Sequence, residues 1–202
     1  MAQSNEELVR ELQEKGAIRS TGVKKAFEKT DRADFVPDGQ KKFAYADYPL
    51  PIGEGQTISQ PWTVASMTEA LGVKEGMKIL EVGTGSGYQA AIIAELVGEN
   101  GLVVTTEVRK KLFEFANENL RHCKNVLVVA ADGSKGFLGK APYDRIIVTA
   151  AGTKVPDEIW SQLKKGGIIV IPIGNEMYKI KKTGGKEKRA FLGYFAFVPL
   201  KE

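Results

Sequence analysis

Short apolar runs alternate with amphipathic segments through the middle and second half of the chain. Five runs have the length and composition of buried strands, at residues 79–82, 102–107, 126–130, 145–149 and 167–173. Four segments have apolar residues at helical spacing, at residues 61–71, 87–97, 109–120 and 156–163. Strands that alternate with helices form parallel sheets covered on both faces. The pattern therefore predicts an α/β fold with a doubly wound, mostly parallel sheet.

The N-terminal part of the chain departs from this alternation. Between Ser4 and Glu28, apolar residues at helical spacing predict two short amphipathic helices, split near Gly16, that cap the sheet. Residues 35–57 are rich in proline, glycine and aromatic residues, which predicts an irregular loop.

The C-terminal part is expected to form a β-hairpin. Residues 178–182 and 190–198 are predicted to pair around a turn at Gly184 and Gly185. We therefore expect one domain with three parts: an N-terminal helical and irregular cap over 1–57, a cofactor-binding core over 58–174, and the hairpin over 175–202.

Composition narrows the class of protein. The 202 residues suit one domain, and 43% apolar with 27% charged residues is ordinary for a globular chain. No apolar run approaches the ~20 residues that cross a bilayer, and the N-terminus lacks a signal-peptide core, so we expect a cytoplasmic protein. A single cysteine, Cys123, and a single histidine, His122, make a Cys/His metal cage impossible, and we predict surface positions for both and no metal.

The net charge of +4 has a local origin. Residues 179–189 hold six cations and one anion, so the rest of the chain sums to about −1. A nucleic-acid binder usually spreads its basic residues over several elements, so we expect no nucleic-acid partner. The run is predicted to be a solvated hairpin, with an acidic partner for its lysines as the alternative.

Three glycines follow the first strand of the core. Gly83, Gly85 and Gly87 form a G-x-G-x-G loop, preceded by Glu81 at the end of the strand. Glycines let a backbone turn sharply and approach a ligand closely. A carboxylate beside the loop repels a pyrophosphate and favours a cation such as an ammonium group. The loop therefore predicts a nucleoside ligand other than a dinucleotide.

Further polar residues fall at the ends of the other strands, where doubly wound sheets bind ligands. Glu107 closes the second strand, 24 residues after Gly83, and is placed to hold two ribose hydroxyls. Asp132 follows the third strand and is predicted to accept from an adenine amino group. S-adenosylmethionine fits this set, because it has no phosphate and carries a sulfonium cation, whereas the chain lacks the residues of a nicotinamide dehydrogenase. The predicted cofactor-binding residues are Glu81, Gly83, Thr84, Gly85, Ser86, Gly87, Glu107, Asp132, Gly133 and Thr149.

Several motifs of the chain resemble those of class I methyltransferases, and of one family closely. The run YPLPIGEGQTISQP at 48–61, followed by residues 64–67, is similar to the signature of protein-L-isoaspartate O-methyltransferases. Residues 81–91, 132–133, 142–144, 146–151 and 162–167 resemble the same family. The resemblance covers 32–174 and implies a Rossmann-like fold. It also implies transfer of a methyl group from S-adenosylmethionine to the α-carboxylate of L-isoaspartyl residues in damaged proteins, which starts their repair.

The segment Thr57, Ile58, Ser59 and Gln60 is the candidate acceptor site. A carboxylate has a pKa near ~4 and is already a nucleophile at neutral pH, so no general base is needed. We predict that the Ser59 hydroxyl and the backbone amides of 57–60 orient the acceptor, with Ser59 as the catalytic residue. The alternative is that Thr57 and Ser59 cap the helix that starts at Pro61, and both roles are compatible.

Two further expectations concern the surroundings of this segment. Arg32 and Asp47 are predicted to tether the irregular loop, with substrate contact as the alternative. Trp62 is expected to anchor the following helix, or to shield the acceptor from water.

Three other functions compete with isoaspartyl methylation. A nucleic-acid amino-methyltransferase carries an Asn/Asp-Pro-Pro-Tyr/Phe motif after its fourth strand, where this chain has Val-Thr-Ala-Ala at 148–151. A small-molecule methyltransferase is harder to separate by chemistry alone, and a cofactor-binding module without catalysis is less compatible with the 55–61 run. We expect a monomer.

Overall fold

The computed structural model describes residues 2–184 and 187–200. Within this part of the chain, the helices and strands in chain order are α1 (Asn5–Glu14), α2 (Thr21–Lys29), β1 (Leu50–Gly53), β2 (Gln56–Ile58), α3 (Pro61–Leu71), β3 (Lys78–Val82), α4 (Tyr88–Val97), β4 (Leu102–Glu107), α5 (Lys110–Asn119), β5 (Val126–Ala130), β6 (Tyr143–Val148), α6 (Asp157–Gln162), β7 (Leu163–Ile173), β8 (Glu176–Lys182) and β9 (Glu187–Tyr194).

Seven of the described strands form one sheet in the order β5-β4-β3-β6-β7-β8-β9. The pairs from β5 to β7 are parallel, and β8 and β9 add an antiparallel edge. The chain winds outward from β3 on both sides, so the strand order reverses between β3 and β6. Such a switch point leaves a crevice beyond the carboxyl ends of the strands. The predicted doubly wound, mostly parallel sheet is confirmed.

The core follows from the pattern of apolar positions. Ile79, Leu80 and Val82 of β3 are at most 1% exposed, because helices cover both faces of the sheet. The N-terminal cap is also confirmed: Ser4 accepts the Glu7 N–H at the start of α1, and α2 packs against α4.

The prediction of an irregular loop over 35–57 is wrong in part. β1 and β2 pair as an antiparallel hairpin, and a 3-10 turn spans Asp38–Phe43. The hairpin forms because Leu50 and Ile52 are buried at alternate positions, while Glu54 and Gly55, both at positive φ, make the turn.

The C-terminal boundaries also differ from those predicted. β7 starts at Leu163, because this residue pairs with Tyr143 ahead of a bulge. β9 ends at Tyr194, and the next residues form a tail, not a strand, because Val198 and Leu200 hydrogen-bond to Ala151 beside the end of β6. Of the predicted turn, Gly185 lies outside the described residues.

Among the described helices, none has both the length and the apolar character that a membrane span requires. His122 is exposed and Cys123 is half-buried in the loop after α5, and the described residues contain no cluster of three metal-ligating side chains.

Candidate cofactor and acceptor site

The glycine loop turns at the carboxyl end of β3. Gly83 has φ +96°, and a Cβ there would lie 2.4 Å from Thr149 Oγ1. The Thr149 hydroxyl donates to the Gly83 carbonyl at 2.7 Å. The close approach of these two residues across β3 and β6 therefore requires glycine at position 83.

A cleft lies beside this loop, with about 610 Å³ of empty space including its open mouth. Its walls come from the ends of β3, β4 and β6, from the loop after β5 and from the C-terminal tail. Gly133 lines it, and a Cβ on this residue would lie 2.6 Å from both Thr106 Oγ1 and Val82 Cγ1. We call this space the cofactor cleft.

Glu107 stands at the end of β4 in the wall of the cofactor cleft, and it is only 7% exposed. Its Oε2 accepts the Gly85 N–H at 3.0 Å, and its Oε1 accepts the Arg109 N–H at 2.9 Å. Each carboxylate oxygen can accept a second hydrogen bond. The side chain is thus fixed by two backbone donors and retains acceptors for a ligand.

A second cavity lies between the glycine loop and the end of β2 with the residue that follows it. Thr57, Ile58 and Ser59 form one wall, and Glu81, Thr84, Ser86 and Tyr88 contribute to the rest. Four residues line both spaces: Thr57, Gly83, Gly85 and Thr149. We call the second space the acceptor cavity, and it is contiguous with the cofactor cleft.

The hairpin of β1 and β2 is held over the glycine loop at two points. A Cβ on Gly85 would lie 3.5 Å from Ile52 Cδ1, which is van der Waals distance. At the hairpin turn, Glu54 Oε1 lies 3.1 Å from Lys111 Nζ of α5. Ser59 is therefore brought beside the glycine loop by a folded element.

Glu81 is not at the tip of its strand, as the sequence suggested, but inside β3 opposite Thr105 and Ile147. It is fully buried, its Oε2 accepts from Thr105 Oγ1 at 2.5 Å, and its Oε1 has no partner. Burial raises the pKa of Glu81 to about 8, the Glu107 charge adds to the shift, and the Thr105 hydrogen bond opposes it. Glu81 Oε1 is thus a buried polar atom in the acceptor cavity that a ligand donor can satisfy.

Helix α3 takes Gln60 as its N-cap residue, without a side-chain cap, and Asp47 Oδ1 accepts the Trp62 N–H at 2.9 Å. Asp47, and not Thr57 or Ser59, therefore caps this helix. Ser59 and Thr57 lie in the cavity wall, whereas Gln60 is not among the residues that line the two spaces. Ile58 is buried and lines the acceptor cavity.

Asp132 comes directly before Gly133 of the cleft wall, and its side chain is hydrogen-bonded to a neighbouring residue. Its Oδ1 accepts from both the N–H and the hydroxyl of Ser134, at 2.9 and 2.7 Å. Burial raises its pKa, but these hydrogen bonds and Lys135 outweigh burial and lower the pKa below its usual value. The neighbouring Gly133, not Asp132, lines the cofactor cleft.

Several wall residues were not predicted from the sequence. Tyr88 lines the acceptor cavity with a buried hydroxyl that has no partner, and burial raises its pKa. Its position directly after Gly87 is the signal that was available. Val198 and Leu200 of the tail line the cofactor cleft, and their distance from every motif left no signal.

A switch-point cleft with a glycine loop and an acid at the end of the second strand defines the class: a class I methyltransferase that uses S-adenosylmethionine. The family model described as protein-L-isoaspartate(D-aspartate) O-methyltransferase (PCMT) matches residues 3–202. The chain belongs to this family.

Individual relatives agree with the family match. A protein-L-isoaspartate O-methyltransferase of Methanothermobacter thermautotrophicus is 45% identical over 208 residues, which cover 99% of this chain and 96% of the relative. A solved protein-L-isoaspartate O-methyltransferase has a TM-score of 0.89 at 32% identity, and the match covers 98% of this chain but 66% of that one. A Plasmodium falciparum structure assigned to the same activity, in complex with S-adenosyl-L-homocysteine, has a TM-score of 0.88 at 25% identity over 99% of both chains.

Proposed function

We propose that this protein transfers the methyl group of S-adenosylmethionine to the α-carboxylate of L-isoaspartyl residues in damaged proteins and peptides, and so starts their repair. The observation that carries the proposal is the contact between the two spaces. Thr57, Gly83, Gly85 and Thr149 line both the cofactor cleft and the acceptor cavity that holds Ser59. Donor and acceptor can therefore meet without leaving the protein.

Residues of the two contiguous spaces suit the cofactor. The unpartnered Glu81 Oε1 offers an acceptor to an ammonium group, and Glu107 keeps free acceptor sites for ribose hydroxyls. The lack of a Cβ at Gly83 and Gly133 lets the backbone of the cleft wall pack closely against Thr149 and against Thr106 and Val82. Thr84 and Ser86 contribute to the loop, and Asp132 and Thr149 are assigned to the adenine end. When bound, S-adenosylmethionine supplies a methyl group on a positively charged sulfur.

The acceptor site requires hydrogen-bond donors that hold the carboxylate, and it requires no general base. An α-carboxylate is ionised at neutral pH, so the protein has only to hold it and keep water away. We assign the Ser59 hydroxyl and the backbone amides of residues 57–60 to this task. Placing the nucleophile beside its target can supply roughly 7 to 11 kcal/mol of the barrier reduction.

Exclusion of water from the site favours the reaction further. The attack of an anion on a sulfonium neutralises both charges, so a dry cavity favours the transition state over the separated ions. Ile58, Val64 and Tyr88 are buried and line the acceptor cavity. They supply the apolar surface that keeps water from the reacting oxygen.

A peptide made in matched forms tests the proposal. One sequence is prepared with L-aspartyl, L-isoaspartyl and D-aspartyl linkages at the same position and incubated with methyl-labelled cofactor. We expect a base-labile methyl ester on the L-isoaspartyl form. Labelling of the D-aspartyl form shows whether the protein also methylates that linkage. Equal labelling of the L-aspartyl and L-isoaspartyl forms, or labelling of neither, contradicts the proposal.

We further propose that the protein acts as a cytoplasmic monomer. Helix α1 is an integral part of the domain, since Leu8, Val9 and Leu12 are buried in the core. Cell fractionation and sedimentation of the purified protein test the two statements separately.

A further inference from the structure

Arg32 is a buried cation that binds only backbone. It is fully buried, and no carboxylate of residues 2–184 or 187–200 forms an ion pair with it. Its guanidinium donates to four carbonyl oxygens: Nη1 to Ala44 at 2.6 Å and Ala46 at 3.4 Å, and Nη2 to Tyr48 at 3.2 Å and Ser59 at 3.0 Å. Burial of a charge is costly unless hydrogen bonds satisfy it, so this arrangement requires the four acceptors.

These four carbonyls lie on both sides of the hairpin of β1 and β2. Ala44, Ala46 and Tyr48 precede β1, whereas Ser59 follows β2 directly. One rigid, planar group therefore joins the entry and the exit of the hairpin. Tyr45 strengthens the same junction, because its hydroxyl donates to Asp31 Oδ2, one residue before Arg32, at 3.1 Å.

The contact with Ser59 sets the direction of a backbone donor. The peptide group between Ser59 and Gln60 is planar, and in a trans peptide its C=O and N–H point in opposite directions. Because Arg32 binds the Ser59 carbonyl, the Gln60 N–H is directed away from the guanidinium. Asp47 fixes the next turn through the Trp62 N–H, so the backbone on both sides of Gln60 is held.

We propose that Arg32 is a positioning residue for methyl transfer: it acts from behind the cavity wall and holds Ser59 in the geometry that receives the acceptor carboxylate. This rests on the proposed function. Arginine is required because its fork spans four acceptors in one plane, whereas the single ammonium group of lysine carries three donors from one atom. Burial lowers the pKa of Arg32 to about 10, so the group stays charged at neutral pH.

The test compares Arg32→Lys with the wild type on the isoaspartyl peptide. We expect kcat to fall roughly 10- to 100-fold, because small displacements at a reacting centre have effects of that size. The dissociation constant of S-adenosylmethionine is expected to change less than twofold, because Arg32 does not line the cofactor cleft. In Arg32→Ala, added guanidinium ion at concentrations below those that unfold the protein is expected to restore part of kcat.

Tyr143→Phe is the matched control for lost stability. Its hydroxyl donates to the Phe137 carbonyl at 2.6 Å in a cluster of buried residues that does not include Ser59. This variant is expected to lower the melting temperature and keep kcat.

The outcomes distinguish a positioning role of Arg32 from a purely structural one. If Arg32→Lys melts earlier but keeps kcat, or if no Arg32 variant retains a folded population even at 10 °C with saturating cofactor, Arg32 is a structural residue and the proposal is overturned. A wild-type protein that methylates no isoaspartyl peptide contradicts the proposed function itself, so the two failures are distinguishable.

Discussion

Thr105 Oγ1 lies 2.5 Å from Glu81 Oε2 across the adjacent strands β4 and β3. The same hydroxyl oxygen is 2.7 Å from Thr84 Oγ1, which belongs to the glycine loop. A buried carboxyl is thus linked through one threonine to the segment assigned to the cofactor. Its second oxygen has no partner, so both its protonation and its ligand contact depend on what enters the acceptor cavity.

Cofactor affinity should depend on pH through Glu81. With a pKa of about 8, raised by burial and by Glu107, the carboxyl is largely neutral at pH 6 to 7. An ammonium group binds the ionised form better, so binding releases a proton. We expect the affinity for S-adenosylmethionine to rise roughly tenfold from pH 6 to pH 7 and about fivefold from pH 7 to pH 8, in step with the ionised fraction of Glu81. Calorimetric titrations at three pH values measure this, and Glu81→Gln should remove most of the slope. A flat wild-type profile contradicts the assignment.

The same group predicts the pH dependence of stability without cofactor. The folded-state pKa of Glu81 lies above its ordinary value of 4.5, so its contribution is fully present below about pH 4.5 and is lost as pH rises through 8. The largest possible slope is about 1.4 kcal/mol per pH unit. Glu81→Gln should therefore gain in melting temperature relative to the wild type as pH rises from 5 to 9. A constant difference between the two proteins would show that Glu81 titrates normally.

Ser59→Ala tests the acceptor site directly. Loss of one positioned donor to a reacting oxyanion costs up to roughly 10² to 10³ in turnover, and we expect a fall of at least 10-fold in kcat because backbone amides remain. Cofactor affinity should stay nearly unchanged. Ser66→Ala, on helix α3 shortly after Ser59 but outside both spaces, is the matched control. A comparable loss of cofactor binding in Ser59→Ala would show that Ser59 binds the cofactor and that its assignment to the acceptor is wrong.

The sheet was predictable because each of its parallel strands has a recognisable sequence pattern. Apolar runs such as residues 79–82 are bounded by glycines or by helical patterns, and the alternation of strands and helices dictates a parallel sheet. The hairpin of β1 and β2 was missed because Pro51, Gly53 and Gly55 obscure its alternation of apolar residues, and because a distant residue, Arg32, closes it.

The site was less predictable than the sheet. Glycine spacing and acids at strand ends indicated a nucleoside cleft, but they say nothing about burial. Glu81 stands next to the end of its strand, and only its pairing opposite Thr105 places it inside the protein. The hydrogen bonds of Asp132 to Ser134 and the return of the tail over the cleft depend on tertiary contacts that no local pattern reports.

Gly83→Ala should weaken cofactor binding for two separable reasons. A methyl group there would lie 2.4 Å from Thr149 Oγ1, and φ of +96° is unfavourable for alanine. We expect a fall in affinity of roughly 10-fold or more. The double variant Gly83→Ala/Thr149→Ala removes the collision and keeps the backbone strain. The fall in affinity from Thr149→Ala to the double variant should therefore be smaller than the fall from the wild type to Gly83→Ala. Equal falls in the two comparisons would assign the whole effect to the backbone.

The C-terminal tail closes one side of the cofactor cleft. Val198 and Leu200 line the cleft, and the tail is held there because the Ala151 N–H donates to Val198 O and the Leu200 N–H donates to Ala151 O, both at 2.8 Å. Leu200→Asp places a negative charge in the wall of the cleft that Glu107 also lines, so we expect cofactor affinity to fall roughly 10-fold, a change of about 1.4 kcal/mol.

Ala196→Asp is the control for the tail, because this residue is exposed and does not line the cleft. Calorimetric titration of both variants measures the affinities, and circular dichroism establishes that each is folded. Because the two substitutions add the same charge to the same segment, only contact with the cleft separates them. Equal affinities in folded Leu200→Asp and Ala196→Asp would show that the tail covers the cleft without contributing to binding.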